Sequence, residues 1–354
     1  MEARRTTLVV LFGGQSAEHD VSCVSATHVI GAVDSSLFDV VAIGIARDGS
    51  WHRSPAHTFR GASAHTLDST LSVSGPVVEP TSVVSAEQGP VVVVPLLHGP
   101  LGEDGTVQGL LELLDVPYVG AGVLSSALAM DKAMAKQVFE QAGIPQADHV
   151  VLHVDECTDA SVADAFARLG SDVFVKPANM GSSVGVSHAV TIDEMLAAVT
   201  LAGTYDNWIV VEQAVHGREI EVSVIGNRQP RASLPGEIVP AKDFYDYADK
   251  YVDGAATLSV PASLSEEQTR EIRDLAVRAY KALRCEGMAR VDFFLEEDGR
   301  GFLVNEINTI PGFTPISMYP KMWEASGLSY GDLVTELVGL AQERHAGRKR
   351  NTAH

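Results

Sequence analysis

Met288-Ala-Arg290-Val-Asp292-Phe-Phe-Leu295 and Phe302-Leu-Val-Asn305-Glu306-Ile-Asn308-Thr-Ile-Pro311-Gly312 flank the turn signal Glu297-Asp298-Gly299, and together they read as a β-hairpin. Alternation along a strand puts Arg290 with Asp292 on one face, and Glu306 with Asn308 on one face. Paired, these faces gather one cation, two carboxylates and one amide. Hard oxygen donors of this kind suit magnesium held together with the phosphates of a nucleotide. A solvated antiparallel hairpin can carry the same residues as a plain polar face. The strongly apolar flanking runs favour a cleft.

The chain outside the hairpin sets limits. Its 354 residues allow two or three domains with sizeable cores. Hydrophobic content of 45% and charged content of 20% fit a globular protein. A formal net charge of −20 disfavours nucleic acid as a partner, because phosphate backbones need basic surface. Cys23, Cys157 and Cys285 are scattered, odd in number and without zinc-site spacing, which suits a reducing cytoplasm. The N-terminal apolar run lacks a signal-peptide pattern, and no apolar stretch reaches membrane-spanning length, so no membrane association is expected.

Residues 6–14 read as a strand ending in Gly13-Gly14, followed by a helix opening near Asp20. Val40–Ile45 and Val91–Val94 are further strands, Gly105–Leu114 is helix-like, and Pro117–Gly120 is a short strand. This alternation predicts a parallel sheet in an α/β domain. Residues 50–90, rich in Ser, Thr, Ala, Gly and Pro, match no motif and read as a loosely structured insertion. A single long helix is expected from Ser125 to Ala142, stopped by Gly143. Strands at Val173–Lys176, Val184–Val186 and Trp208–Gln213, with helices near 160–169 and 191–202, suggest a second small α/β unit. Antiparallel strands at Glu219–Ile225 and Ala232–Val239, a polar aromatic segment Lys242–Asp253, a helix Ser265–Leu283, the hairpin and a helix near 328–344 complete the chain. No internal repeat is present.

Lys176-Pro-Ala-Asn-Met-Gly181-Ser182-Ser183-Val-Gly185 follows an apolar strand. Successive amides of such a loop can cradle phosphate, with the Ser182 and Ser183 hydroxyls as added donors and Lys176 as the cation. The Gly-Lys-Ser/Thr of a Walker loop is absent, and a simple Gly-Ser turn is the competing reading. Lys132, in Met130-Asp-Lys132, is by itself an ordinary helix lysine. Glu212, in Val210-Val-Glu212-Gln-Ala-Val215, ends a strand whose carboxylate and backbone edge could grip a nucleoside or simply meet solvent.

Together these segments resemble the D-alanine–D-alanine ligases of the ATP-grasp superfamily, over about Leu8 to Leu333. The resemblance is carried by Gly13-Gly-Gln-Ser-Ala-Glu18, His98-Gly-Pro-Leu-Gly-Glu-Asp-Gly105, Met130-Asp-Lys132, Lys176 to Gly185 and Gly217-Arg-Glu-Ile-Glu221. It continues through Phe244-Tyr-Asp-Tyr-Ala-Asp-Lys250-Tyr251, Arg290-Val-Asp292 and Asn305-Glu-Ile-Asn308 to Gly312. Each motif is weak alone; their order and spacing are specific. The resemblance implies an α/β fold, α+β in its C-terminal part. Three domains are expected: a Rossmann-like 1–123, a central 124–216 and a C-terminal 217–354, with ATP between the last two. It implies a ligase of peptidoglycan synthesis: ATP phosphorylates one D-alanine, and the amine of a second D-alanine attacks the acyl phosphate. A cytoplasmic homodimer is implied as well.

The resemblance also implies roles. Glu18 would hold the first D-alanine's ammonium near His98, and Ser182 and Tyr251 would join Glu18 in a network closing the site. Without the resemblance, Glu18 is simply an acidic residue in a helix's first turn. Lys132 and Lys176 would bind the α- and β-phosphates, Lys250 the γ-phosphate, Glu212 and Val215 the nucleoside, and Glu219 the ribose. Asp292, Glu306 and Asn308 would hold two magnesium or manganese ions. Arg290 and the Gly312 amide would stabilise the oxyanion. Ser317 and Met318 would receive the second D-alanine's carboxylate, although relatives often carry Leu at the latter position. The segment with Lys250 and Tyr251 would be a lid excluding water, or else an aromatic loop packed on the core. Tyr251 favours an amine over a hydroxyl as second nucleophile. Other ATP-grasp ligases, a regulatory nucleotide-binding module and a kinase are the alternatives.

Overall fold

The structure is a computed structural model and describes residues 5–54, 70–83, 89–239 and 257–348. The first unit is built on β1 (Thr6–Gly13), whose five residues Leu8–Phe12 are fully buried. Strand pleating sends Leu8, Val10 and Phe12 to one core and Val9 and Leu11 to another. Helix α1 (His19–Ala32) covers the first face and α2 (Thr106–Leu113) the second. Burial on both faces is the condition of a parallel sheet. β1 accordingly pairs in parallel with β2 (Phe38–Ile45) and β5 (Val91–Pro95). Two short antiparallel strands, β3 (Trp51–Arg53) and β4 (Val77–Val78), extend the β2 edge. They lie within the segment 50–90 expected to be a loosely structured insertion, part of which falls outside the described residues.

The helix expected over Ser125–Ala142 is two helices, α3 (Val123–Met130) and α4 (Lys132–Gln141). Asp131 breaks it: its backbone is extended, and its carboxylate accepts the Met134 N–H, capping α4. Periodicity could not reveal the break, because a cap competes with the helix only locally.

The second sheet is antiparallel, in the order β6 (His149–His153), β9 (Trp208–Gln213), β7 (Val173–Pro177), β8 (Ser187–Ala189). Its β8 lies three residues beyond the expected 184–186, which form the turn leaving the glycine loop. Helices α5 (Asp159–Leu169) and α6 (Ile192–Ala202) bury Val173, Val175, Ile209 and Val211 on one face. Phe174, Lys176 and Glu212, one residue out of phase, line a cavity on the other.

The third sheet runs β13 (Thr257–Ser259), β12 (Gly236–Val239), β10 (Arg218–Ile225), β14 (Met288–Glu296), β15 (Gly301–Asn308), with β11 (Arg231–Ala232) also on β10. Helix α7 (Glu266–Ala282), opened by a Ser265–Gln268 capping box, packs on one face against Ile220, Val222, Val291, Phe293 and Val304. The opposite face turns toward the first unit. Two closing helices, α8 (Met318–Ala325) and α9 (Tyr330–Gly347), follow. Helix α9 returns to β1 and α1, burying Leu333, Leu337 and Val338 there. Among the described residues no helix is long and apolar enough to cross a membrane.

Arg344 fastens α9. It is 9% exposed, donates to the Tyr118 carbonyl at 2.8 Å and to the Gly120 carbonyl, and lies 4.2 Å over the Tyr118 ring. Arg344→Met is expected to strip both buried carbonyls of their donor and cost about 2–4 kcal/mol. A denaturant titration checks this, and an unchanged midpoint contradicts it.

Candidate active site

A cavity of about 710 Å³ lies where the three sheets meet. Glu18 and His98 reach it from the first unit and Lys132 from α4. The second sheet and its loops supply Lys176, Ser182, Ser183, Glu212 and Val215. The third sheet and the loop after it supply Glu219, Arg290, Asp292, Glu306, Asn308, Gly312, Ser317 and Met318. Every predicted site residue within the described part of the chain therefore lines one space. Lys250 and Tyr251 lie outside the described residues.

The hairpin register explains the third sheet's contribution. Arg290 pairs with Asn308 and Asp292 with Glu306, but Phe293 pairs with Val304, so Asn305 is an extra residue. Phe302 and Val304 face the core beneath α7. Strict alternation would send Glu306 and Asn308 there too. The bulge at Asn305 reverses the parity, putting Ile307 into the core and Glu306 and Asn308 into the cavity.

Arg290 lies at the centre of this face. Its Nε and Nη2 donate side by side to Asp292 Oδ1 and Oδ2, each at 2.7 Å, and Nε also lies 3.1 Å from Glu221 Oε1. Burial disfavours its charge, but Asp292 and Glu221 outweigh that and hold the guanidinium firmly protonated. Asn308 Nδ2 also donates to Asp292, at 2.9 Å, which fixes the amide orientation. The Asp292, Glu306 and Asn308 donor set is made wholly of hard oxygens facing one cavity, which fits magnesium. Among the described residues no three His, Cys, Asp or Glu side chains form a metal cluster by themselves. The set depends on the amide.

At the opposite wall Glu212 is buried between two lysines, 2.7 Å from Lys176 Nζ and 2.8 Å from Lys136 Nζ. The Lys136 contact is ionic and not a well-angled hydrogen bond. Burial raises the carboxyl's pKa, yet the two ammonium groups override it and hold it down at about 2. Lys176 Nζ also reaches Asn305 Oδ1 at 3.4 Å. Lys132 donates to the Met180 carbonyl at 2.7 Å and lies 3.5 Å from Glu306. The lysines thus join the glycine loop to the carboxylate strand.

That loop carries Ser182 and Ser183 at φ of +51° and +59°, the left-handed region that costs a non-glycine residue energy. The strained turn aims Ser182 Oγ at Glu18 Oε1, 2.5 Å away. Gly181 packs closely beside it: a Cβ there would stand 3.0 Å from Glu18 Oε2, and the carboxylate would have to give by a few tenths of an ångström. His98 is pinned by the Ile310 carbonyl at 3.0 Å, and burial lowers its pKa against the pull of Glu18. Gly312 lies so close to Ser317 that a Cβ would meet its Oγ at 2.6 Å. The Ser317 hydroxyl takes the Thr314 N–H at 2.9 Å, and the Met318 side chain packs with Ile238 and Met322. The α8 N-terminus therefore brings both backbone amide and the Ser317 hydroxyl, which also meets Thr314 Oγ1 at 2.8 Å, to the cavity.

Sequence reasoning assigned no role to Glu221, Lys136, Asn305 or Glu103. Glu221, Glu103 and Asn305 lie inside quoted motifs, which was the available signal. Glu103 accepts the Gly99 N–H at 2.8 Å, and burial, then the charge of Glu18, pushes its carboxyl up to about 8. Nothing local marks Lys136 or the bulge.

Comparison with known proteins agrees with this geometry. Residues 7–121 match the family model "D-ala D-ala ligase N-terminus" and residues 138–339 match "D-ala D-ala ligase C-terminus". The D-alanine–D-alanine ligase of Thermoanaerobacter sp. (strain X514) is 46% identical over 352 residues, covering 96% of this chain and 97% of that protein. That of Solibacter usitatus is 47% identical over 338 residues, covering 96% of each. The solved D-alanine-D-alanine ligase of Coxiella burnetii superposes with a TM-score of 0.80 at 39% identity, covering 97% of this chain and 96% of that one. The VanG D-Ala:D-Ser ligase of Enterococcus faecalis superposes with a TM-score of 0.82 at 34% identity, covering 96% of this chain and 100% of that one. The chain belongs to the D-alanine–D-alanine ligase family, with its ATP-grasp fold.

Proposed function

We infer that this chain joins two D-alanine molecules into D-alanyl-D-alanine, with ATP converted to ADP and phosphate, for peptidoglycan synthesis. The observation that carries the reading is the convergence in one cavity of a lysine-lined glycine loop, an oxygen-donor face and a buried arginine. ATP with magnesium supplies the phosphoryl group that makes the first carboxylate an acyl phosphate, and the metal neutralises charge during the transfer.

The protein's own groups position and protect. Asp292, Glu306 and Asn308 would hold the magnesium ions. Lys132 and Lys176 would take the phosphates beside them. Glu212, Val215 and Glu219 would meet the nucleoside, Glu212 through whatever its two lysines leave accessible. Glu18, oriented by Ser182, offers a carboxylate for the ammonium of the first D-alanine, with His98 at its side. Arg290, kept charged by Asp292 and Glu221, and the Gly312 amide would meet the oxyanion formed when the second amine attacks. Ser317 and Met318 would bind the second carboxylate through a hydroxyl and a backbone amide, at a helix N-terminus that favours an anion. Lys250 and Tyr251 are assigned to the γ-phosphate and to closure of the site by resemblance alone. Division at 123 and 216, a homodimer and residence in the cytoplasm belong to the same reading, supported by family membership.

An amino-acid panel with product mass analysis tests the substrate. ADP release should require D-alanine and yield the dipeptide. Equal turnover with L-alanine contradicts the assignment, and a mixed product with D-serine redirects it toward the specificity named for the Enterococcus enzyme. Arg290→Ala should lower kcat by about 100- to 1,000-fold, as removal of an oxyanion donor does. Glu306→Gln should raise the magnesium requirement and lower kcat while the protein stays folded by circular dichroism. Normal activity at limiting magnesium contradicts the metal assignment.

A further inference from the structure

Along one wall of the cavity lies a group to which the proposed reaction gives no role. Asp172 precedes β7, and each of its carboxylate oxygens holds one histidine. His188 Nε2 is 2.6 Å from Oδ1 and His216 Nε2 is 2.7 Å from Oδ2. His188 sits on the edge strand β8. His216 sits in the crossover that carries the chain from the second sheet to the third. Both histidines line the cavity, at its solvent-exposed rim, and Asp172 is not among the lining residues.

The sheet register places these residues in one row. His188 pairs with Phe174, and Phe174 pairs with Glu212 on its other side. The His188 ring stacks on Phe174 with centroids 4.8 Å apart and planes 26° apart. Phe174 and Glu212 both line the same cavity wall. The Ala214 N–H donates to the Asp172 carbonyl at 2.9 Å, so the backbone of Asp172 is anchored to the end of β9. A carboxylate only accepts hydrogen bonds, so each histidine presents a protonated Nε2 to it.

We propose that Asp172 is a positioning residue for the nucleotide base. Through His188 it holds the Phe174 ring as one wall of the base pocket, and through His216 it holds the crossover beside Val215 as another. The inference rests on the reading of this cavity as the ATP site. It adds that part of the affinity for ATP comes from a carboxylate that never touches the nucleotide. The bonds of Asp172 to His188 and His216 involve neither Lys132 nor Lys176, although Glu212 of the same row holds Lys176 at 2.7 Å.

That separation makes a test. Asp172→Ala and His188→Ala should each raise the KM for ATP about fivefold to tenfold, the size of one aromatic or hydrogen-bonded contact. Their kcat at saturating ATP and their KM for D-alanine should stay within about twofold. His188→Phe, which keeps a ring to stack on Phe174, should recover most of the loss. Binding of magnesium tripolyphosphate, which has no base, should be equal in wild type and variants by calorimetry. An unchanged KM for ATP in both alanine variants overturns the proposal, and so does equal weakening toward tripolyphosphate. If either alanine variant is poorly folded, Asp172→Asn and His216→Ala are measured in its place against the same criteria. Failure of the wild type to bind ATP at all would instead overturn the reading of the cavity.

Discussion

The pleat of a strand gives each side chain only two directions, and on β15 an extra residue decides which groups take which. Phe302 and Val304 are committed to the core beneath α7. Without the bulge at Asn305, Glu306 and Asn308 would follow them, leaving a carboxylate buried among apolar side chains. With it, Glu306 comes level with Asp292, and Asn308 level with Arg290, on the cavity side. The cost is one unpaired ladder position, and Asn305 itself finds Lys176 across the cavity. The other walls are arranged around this face: Lys132 approaches Glu306, and Glu221 backs Arg290.

Charge is distributed so that the cavity alternates in sign. Arg290 is held between carboxylates, and Glu212 is held between lysines. Each buried charge has its partner in place before any ligand arrives, which limits the reorganisation that binding requires. The two carboxylates nearest the first-unit wall differ in kind. Glu18 receives the Ser182 hydroxyl, whereas Glu103, buried beside it, is pushed toward its neutral form and serves the Gly99 backbone. Glu103 therefore does not add a full second negative charge beside Glu18 in the space assigned to an ammonium.

Much of this was legible in the sequence, for identifiable reasons. The hairpin, the glycine loop and the parallel first sheet carry local signals: alternation, a turn, and apolar runs separated by helices. The gathering of Glu18, Lys132, Lys176, Arg290 and Glu306 in one cavity was reachable only through the order of the motifs, because these residues lie far apart in the chain. The bulge was not legible, since nothing in Val304-Asn305-Glu306 says which residue is extra. The break at Asp131 was hidden because a helical period runs through it. The short β3, β4, β6 and α8 are held by their neighbours more than by their own pattern. The Asp172 pair of histidines needed the register of three strands to be known.

The central claim is that this cavity activates a carboxylate by phosphorylating it before the amine attacks. The direct measurement uses D-alanine labelled with oxygen-18 in both carboxylate oxygens, followed by mass analysis of the products. One labelled oxygen should pass to inorganic phosphate and one remain in the new amide carbonyl for each dipeptide formed. Phosphate free of label, with dipeptide still produced, would contradict the account.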